Sequence, residues 1–232
     1  MRILTLITAR GGSKRLPGKN VRPLGGRPLI VWSIEVAKGL PDIIDILVST
    51  DDRTIADIAR SSGALVPWLR PAFLAIDTAS SVDVCLHAMA WYESEHGEID
   101  GLLLLQPTSP FRSRALIERG IELFRLHEHR PVVAVCPAKS HPMSCFRIDG
   151  GTMVPFIDGV SLQHRSQDLP QAVVVSGALY LINPAQLRRS RSFYAADVVP
   201  LMSEAPEECL DIDTEWDWAM ADKFLATRSA EP

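Results

Sequence analysis

The stretch Ile3-Leu4-Thr5-Leu6-Ile7-Thr8-Ala9-Arg10-Gly11-Gly12-Ser13-Lys14-Arg15-Leu16-Pro17-Gly18-Lys19-Asn20 decides how this chain is read. Ile3 to Thr8 is a short run of aliphatic and β-branched residues, the composition of a strand. A polar, glycine-rich loop follows through Asn20. In open α/β sheets, ligands bind beyond the carboxyl ends of the strands. A loop in that place with glycines lets backbone N–H groups come close to phosphate oxygens. Arg10, Lys14, Arg15 and Lys19 add cations to the same loop. The spacing is neither GxGxxG nor GxxxxGK[ST], so the nicotinamide and P-loop readings fail.

Outward from this loop, apolar runs alternate with helical patterns. Pro28 opens an amphipathic segment at the position Pro favours in a helix. Ile44 to Ser49 reads as a second strand, and Asp51 or Asp52 caps a helix ending near Gly63. A short third strand is expected at Ala64 to Pro67. A helix through Glu95 leads to Gly101 to Leu105, a continuous apolar run of the kind buried on both faces. A helix over Ser113 to His127, then strands at Pro131 to Cys136 and Val173 to Ile182, continue the rhythm, and a final helix spans about Thr214 to Ala226. Strand and helix in alternation predict an α/β fold, a mainly parallel sheet with helices on both faces. The rhythm breaks over 139–172, which reads as an excursion from the sheet, a flap or a dimer arm.

The chain has 232 residues, 47% hydrophobic and 22% charged, with a net charge of -4. That acidity argues against general nucleic-acid binding, so any anion is held by a local cluster of cations. The apolar start is too short for a signal peptide and no run is long enough to cross a bilayer. Cys85, Cys136, Cys145 and Cys209 form no CxxC pair and no zinc spacing, and we read them as reduced, small core residues. Together these features predict a cytoplasmic protein without membrane contact. The six histidines show no catalytic spacing.

Taken in order, the segments ITARGGSKRLPGKN (7–20), STDD (49–52), LRPAFLAIDTASS (69–81), LLQPTSPFR (104–112), QHRSQDLPQ (163–171), GALYLIN (177–183) and DIDTEWDW (211–218) resemble the motifs of the CMP-acylneuraminate synthetases. The same class includes synthetases for legionaminic, pseudaminic and 3-deoxy-manno-octulosonic acids. The resemblance covers nearly the whole chain. It implies a three-layer Rossmann-like nucleotide-diphospho-sugar transferase fold, one cytidylyltransferase domain over 1–232, and 139–172 as a dimerisation and sugar-site excursion of a homodimer. It implies CTP and an acidic nine-carbon sugar as substrates, Mg²⁺ as cofactor, and transfer of CMP with release of pyrophosphate.

By similarity Arg10, Ser13, Lys14 and Lys19 hold the triphosphate, with Arg10 and Lys14 catalytic, and Asn20 meets the ribose or base. Arg70 and Ser81 would form the cytosine pocket, although by themselves they read as a loop residue and part of a helix cap. Gln106, at the end of the buried strand, would contact the sugar's acyl-amino group. Tyr180 and Phe193 would flank the sugar, and Arg165 would reach the substrate from the partner subunit. In an extended segment alternate residues share a side, so Asp211 and Asp213 stand together with Ile212 opposite. Two such carboxylates suit Mg²⁺. The pattern alone favours Asp213 as the cap of the final helix, with Glu215 in its first turn. The resemblance selects the metal and catalytic role.

The match departs from the sialic-acid pattern in three places. Ser144 stands where a Lys is frequent, Val174-Val175-Ser176 replaces a frequent Arg-Pro-Asn, and RSQDLP is similar to the pseudaminic branch. These leave the sugar open, and a more apolar wall predicts tolerance of deoxy and methyl sugars. A non-catalytic nucleotide-binding relative would lack Lys14 or the acidic pair, and both are present.

Overall fold

Apolar runs along the chain assemble into one six-stranded sheet in the computed structural model, which describes residues 1–159, 165, 168–194 and 197–229. Part of the 163–171 motif therefore lies outside the described residues, although Arg165 is within them. The sheet strands are β1 (Ile3–Thr8), β4 (Ile43–Ser49), β5 (Gly101–Leu105), β6 (Val132–Pro137), β9 (Val173–Ile182) and β10 (Val199–Met202), in spatial order β10-β6-β9-β5-β1-β4. β1 pairs parallel with β4 and β5, and β10 parallel with β6, while β9 runs antiparallel to both its neighbours. β2 (Pro23–Leu24) and β3 (Arg27–Pro28) form a small ribbon beside the first loop.

Side chains alternate across the strands and fill two cores. Ile3 and Ile7 of β1, with Leu103 and Leu105 of β5, meet α1 (Leu29–Ala37), α2 (Arg53–Ser61) and α4 (Arg114–Leu126) on one face. Leu4 and Leu6, with Leu102 and Leu104, meet α3 (Ser81–His96) and α5 (Pro184–Ser190) on the other. This is the three-layer arrangement that the sequence predicts. A third cluster joins Leu16, Leu29, Phe111, Ile212 and Trp218, and so packs α6 (Glu215–Ser229) under the loop after β1. Pro28, Asp52, Ser80 and Ser113 stand at the N-caps of α1 to α4, and the last three accept backbone N–H bonds there.

Several elements differ from the expectation. Ala64 to Pro67 contributes only a bridge between Leu65 and Leu47, and the edge strand β10 was not foreseen. The excursion contains an ordered antiparallel hairpin, β7 (Phe146–Asp149) with β8 (Thr152–Pro155). Cys136 and Cys209 are not reduced thiols but form a disulfide that ties the end of β6 to the turn Pro206–Cys209. Cys145 is exposed instead of packed in the core, whereas Cys85 is a buried thiol, as expected. Burial pushes the Cys85 thiol up to about 12, leaving it protonated and inert. Among the described residues no helix is long and apolar enough to cross a membrane.

Candidate active site

The parallel strands β1 and β5 end side by side, and a cleft of about 580 Å³ opens beyond them. Its lining brings together Arg10, Ser13, Lys14, Lys19, Asn20, Gln106, Asp211 and Asp213, residues that span 204 positions of sequence from first to last. A smaller cavity of about 230 Å³ adjoins it, shares Thr8, Arg10 and Asp77 with it, and contains Arg70 and Ser81. These placements follow from one cause: every contributing loop leaves the carboxyl edge of the sheet.

The loop after β1 is held from both sides by carboxylates. Arg10 Nη1 and Lys14 Nζ contact Asp77 Oδ1 and Oδ2 at 2.8 and 2.5 Å. Hydrogen bonds from Lys14 and then Arg10 hold the Asp77 carboxyl below the usual carboxylate range. Arg15 Nη1 and Lys19 Nζ contact Asp213 Oδ2 and Oδ1 at 2.7 and 2.8 Å, and Lys19 also donates to Ile212 O at 3.1 Å. The loop's cations thus rest on carboxylates at two points, in a cleft whose size suits a larger anion. Gly11 donates its N–H to Asp51 Oδ1 at 3.0 Å and passes so close to Asp52 that a Cβ would meet Asp52 Oδ2 at 2.8 Å. Asn20 Nδ2 donates to Arg10 O, while Asn20 Oδ1 is buried without a protein partner, an acceptor left over for a bound hydroxyl or amino group.

The acidic segment sits on the cleft floor. Ile212 is fully buried and its N–H donates to Thr108 O at 2.7 Å, which turns the side chains of Asp211 and Asp213 toward the cavity. Thr214, not Asp213, caps the final helix: its Oγ1 accepts from Asp217 N at 3.3 Å, and Asp217 Oδ2 reaches back to accept from Asp213 N and from Thr214 N and Oγ1, at 3.1, 2.8 and 2.7 Å. Both carboxylates of the pair are therefore free of capping duty. The Asp211 side chain meets solvent through the cleft, yet the surrounding walls dominate. Burial raises its carboxyl above the ordinary value, a hydrogen bond from Thr108 opposes this, and the nearby Asp213 charge adds to it.

Arg70 is buried at the wall of the smaller cavity, where Nε donates to Ser49 Oγ at 3.1 Å and Nη2 to Ser49 O at 2.5 Å. Burial lowers its pKa, and the charge of Asp51 opposes the shift. Tyr180 and Phe193 lie in the core beside α3 and α5, their ring centroids 5.3 Å apart, and neither lines the cleft. Burial and a hydrogen bond with Tyr194 raise the Tyr180 hydroxyl above its ordinary value. Arg165 is exposed and is not among the cleft's lining residues, and Val174 and Val175 are likewise exposed outside it.

Sequence reasoning missed Asp77, a lone loop aspartate with no spacing signal. It also missed Arg112, whose Nε donates to Ala178 O and Nη1 to Ser33 Oγ, both at 2.7 Å, while Nη2 donates to Gln106 O. Burial pulls this guanidinium down to about 9, the Asp211 charge opposing it, so it stays cationic at neutral pH.

A family model described as Cytidylyltransferase matches residues 4–125. A CMP-N,N'-diacetyllegionaminic acid synthase of Legionella pneumophila is 38% identical over 226 residues, 97% of each chain. An N-acylneuraminate cytidylyltransferase of Streptococcus agalactiae is 32% identical over 221 residues, 94% of this chain and 52% of that one. A pseudaminic acid cytidylyltransferase of Campylobacter jejuni is 32% identical over 180 residues, 78% of each. Among solved structures, a CMP:2-keto-3-deoxy-manno-octonic acid synthetase complexed with CTP shares the fold with a TM-score of 0.70 over 100% of both chains, at 18% identity.

Proposed function

This chain belongs to the cytidylyltransferase family, and from that premise we propose that it joins CMP from CTP to the anomeric hydroxyl of an acidic nine-carbon sugar and releases pyrophosphate. One observation carries the reading: the cationic loop and the acidic pair line one cleft, and the Arg70–Ser81 cavity adjoins it through the shared residues Thr8, Arg10 and Asp77. The sugar's anomeric hydroxyl attacks the α-phosphorus in line and gives up its proton to solvent water in the open cleft, the bond to the bridging oxygen breaks, and the electron pair leaves on pyrophosphate. Arg10, Ser13, Lys14 and Lys19 bind the phosphates and offset the charge that builds on the leaving group. Arg70 and Ser81 orient the base, and Asn20 Oδ1 accepts from the nucleotide.

Asp211 and Asp213 fit Mg²⁺, because both carboxylates line the cleft that holds the cationic loop and this ion takes one or two carboxylates plus phosphate oxygens. When bound, it supplies further neutralisation of phosphate charge. For the sugar we favour a diacetylated, deoxy acid of the legionaminic kind, supported by the relative named for that acid and similar over 97% of both chains. A homodimer belongs to the same proposal, supported by the exposed apolar side chains of the β7–β8 hairpin, and it is what would bring a partner's Arg165 toward the sugar. We assign the reaction to the cytoplasm; a disulfide is uncommon there, so the redox state of Cys136 and Cys209 in freshly isolated protein is the first check on that assignment.

The direct test measures pyrophosphate release with CTP, Mg²⁺ and a panel of acidic sugars. Release with N,N'-diacetyllegionaminate above N-acetylneuraminate supports the full reading. Release with neither, nor with pseudaminate or 3-deoxy-manno-octulosonate, overturns it.

A further inference from the structure

β9 does not run straight past the cleft. Between the pairs Val133–Tyr180 and Val135–Val175, β6 advances two residues while β9 advances five, so β9 bulges there. Gly177 lies within the bulge at φ +76°, in the left-handed region. It faces the end of β5, where Gln106 enters the cleft. A Cβ built on Gly177 would stand 2.5 Å from Gln106 Oε1 and 3.1 Å from Ser109 Oγ.

The backbone on both sides of this contact is bolted in place. Ser109 Oγ donates to Ser176 O at 3.1 Å, and Arg112 Nε donates to Ala178 O at 2.7 Å, so the carbonyls flanking Gly177 are both held. Arg112 Nη2 and Ser109 N also donate to Gln106 O. Ser109 and Arg112 are themselves buried. With both backbones fixed, the end of the Gln106 side chain is the part most able to yield to an added methyl group.

We propose that Gly177 is a positioning residue for the sugar subsite, the absent side chain that lets the Gln106 amide lie against the bulge and face the cleft. Arg112 and Ser109 hold the two segments in register for that contact. The proposal rests on the reading of Gln106 as a sugar contact and extends it to the residue that sets its rotamer.

The test compares Gly177→Ala, Gln106→Ala and the double variant by steady-state kinetics, thermal unfolding and the crystal structure of Gly177→Ala. Loss of one side-chain hydrogen bond predicts a rise in KM for the sugar of about threefold to tenfold in Gly177→Ala, with KM for CTP unchanged. Left-handed strain alone would lower Tm without this split. In the Gln106→Ala background the Gly177→Ala change adds nothing to the sugar KM, and the double variant melts above Gly177→Ala because the clash is gone. Additive kinetic losses, or an unchanged sugar KM in Gly177→Ala when Gln106→Ala raises it, overturn the proposal. If Gln106→Ala leaves the sugar KM alone, the sugar-contact reading falls, and the crystal structure decides the positioning role: a displaced Gln106 amide supports it and an unmoved one overturns it. If Gly177→Ala does not fold, recovery of folded protein in the double variant supports the proposal, and failure of both overturns it.

Discussion

The loop after β1 and the β7–β8 hairpin treat their side chains in opposite ways. The loop's cations are all spoken for within one chain: Arg10 and Lys14 rest on Asp77, and Arg15 and Lys19 on Asp213. The hairpin leaves Ile148 81% and Met153 64% exposed, and Phe156 just beyond it 64%. The difference teaches that the cationic loop finds its charge partners within one chain, whereas the hairpin leaves apolar surface uncovered, which is what the proposed dimer would bury. The residues expected at the sugar follow the same division, since Gln106 lines the cleft and Arg165 does not.

The comparison breaks most sharply at the acidic pair. Asp213→Asn removes the carboxylate that organises Arg15 and Lys19, and turnover should fall on the order of 10³-fold, the upper end for one charge-stabilising group. Asp211→Asn should lose turnover comparably yet melt higher. Burial raises the folded-state pKa of Asp211. Its contribution to stability is therefore full below the unfolded carboxylate range and is lost as pH rises through the folded value, so at neutral pH the charge is a burden that Asn lifts. Thermal unfolding at pH 7 against pH 4 checks this: the gain in Tm should shrink at the lower pH. A fall in Tm at pH 7 for Asp211→Asn would mean that the carboxylate stabilises the fold.

Lys14 comes next. Lys14→Ala should reduce kcat on the order of 10²-fold, because a fixed cation beside the leaving phosphates is gone. Stopped-flow or steady-state rates at saturating CTP measure it. If only the KM for the sugar changes, Lys14 does not act on the phosphates, and the loop is not the phosphate site proposed above.

Much of this cleft was legible because its cations are clustered in sequence and because a glycine-rich loop after a first strand has one place to go. The DID spacing was legible too, although Thr214 and Asp217 were needed to show why Asp213 is not a cap. The direction of β9 was not, since Val173–Ile182 is apolar whichever way it runs. The four-residue edge strand β10 contains Pro200, which disguises it, and an edge tolerates that proline because one side of the strand has no ladder to complete. Arg112 was invisible because its acceptors come from three separate segments. The Cys136–Cys209 pairing was invisible for a related reason, as connectivity across 73 residues leaves no local mark.

The hairpin offers a smaller effect. Ile148→Asp places a charge on its most exposed apolar residue, where a lone protomer would tolerate it. We expect a shift from dimer to monomer in light scattering, and a rise of about tenfold in KM for the sugar, the scale of one interface residue's truncation. CTP binding, read by calorimetry, should hold, because the cationic loop finds its charge partners within one chain. A dimer that persists with unchanged kinetics would move the interface away from the hairpin.

Asp77 should give the smallest change and the opposite sign. Its carboxylate rests on Arg10 and Lys14, and it lines both cavities. A triphosphate drawn to those two cations must compete with it. The ion pairs are exposed, so water and salt already screen them, and Asp77→Asn should lower the KM for CTP only about twofold to fivefold. The effect should fade as salt rises toward a Debye length of a few ångströms, near 1 M. The Asp77 carboxyl lies below the usual carboxylate range, so it stays ionised through the neutral range, and the difference between wild type and Asp77→Asn should not depend on pH there. Kinetics at two salt concentrations decide the matter. A KM for CTP that rises in Asp77→Asn would show that the carboxylate holds Arg10 and Lys14 in the pose the phosphates need, rather than occupying their place.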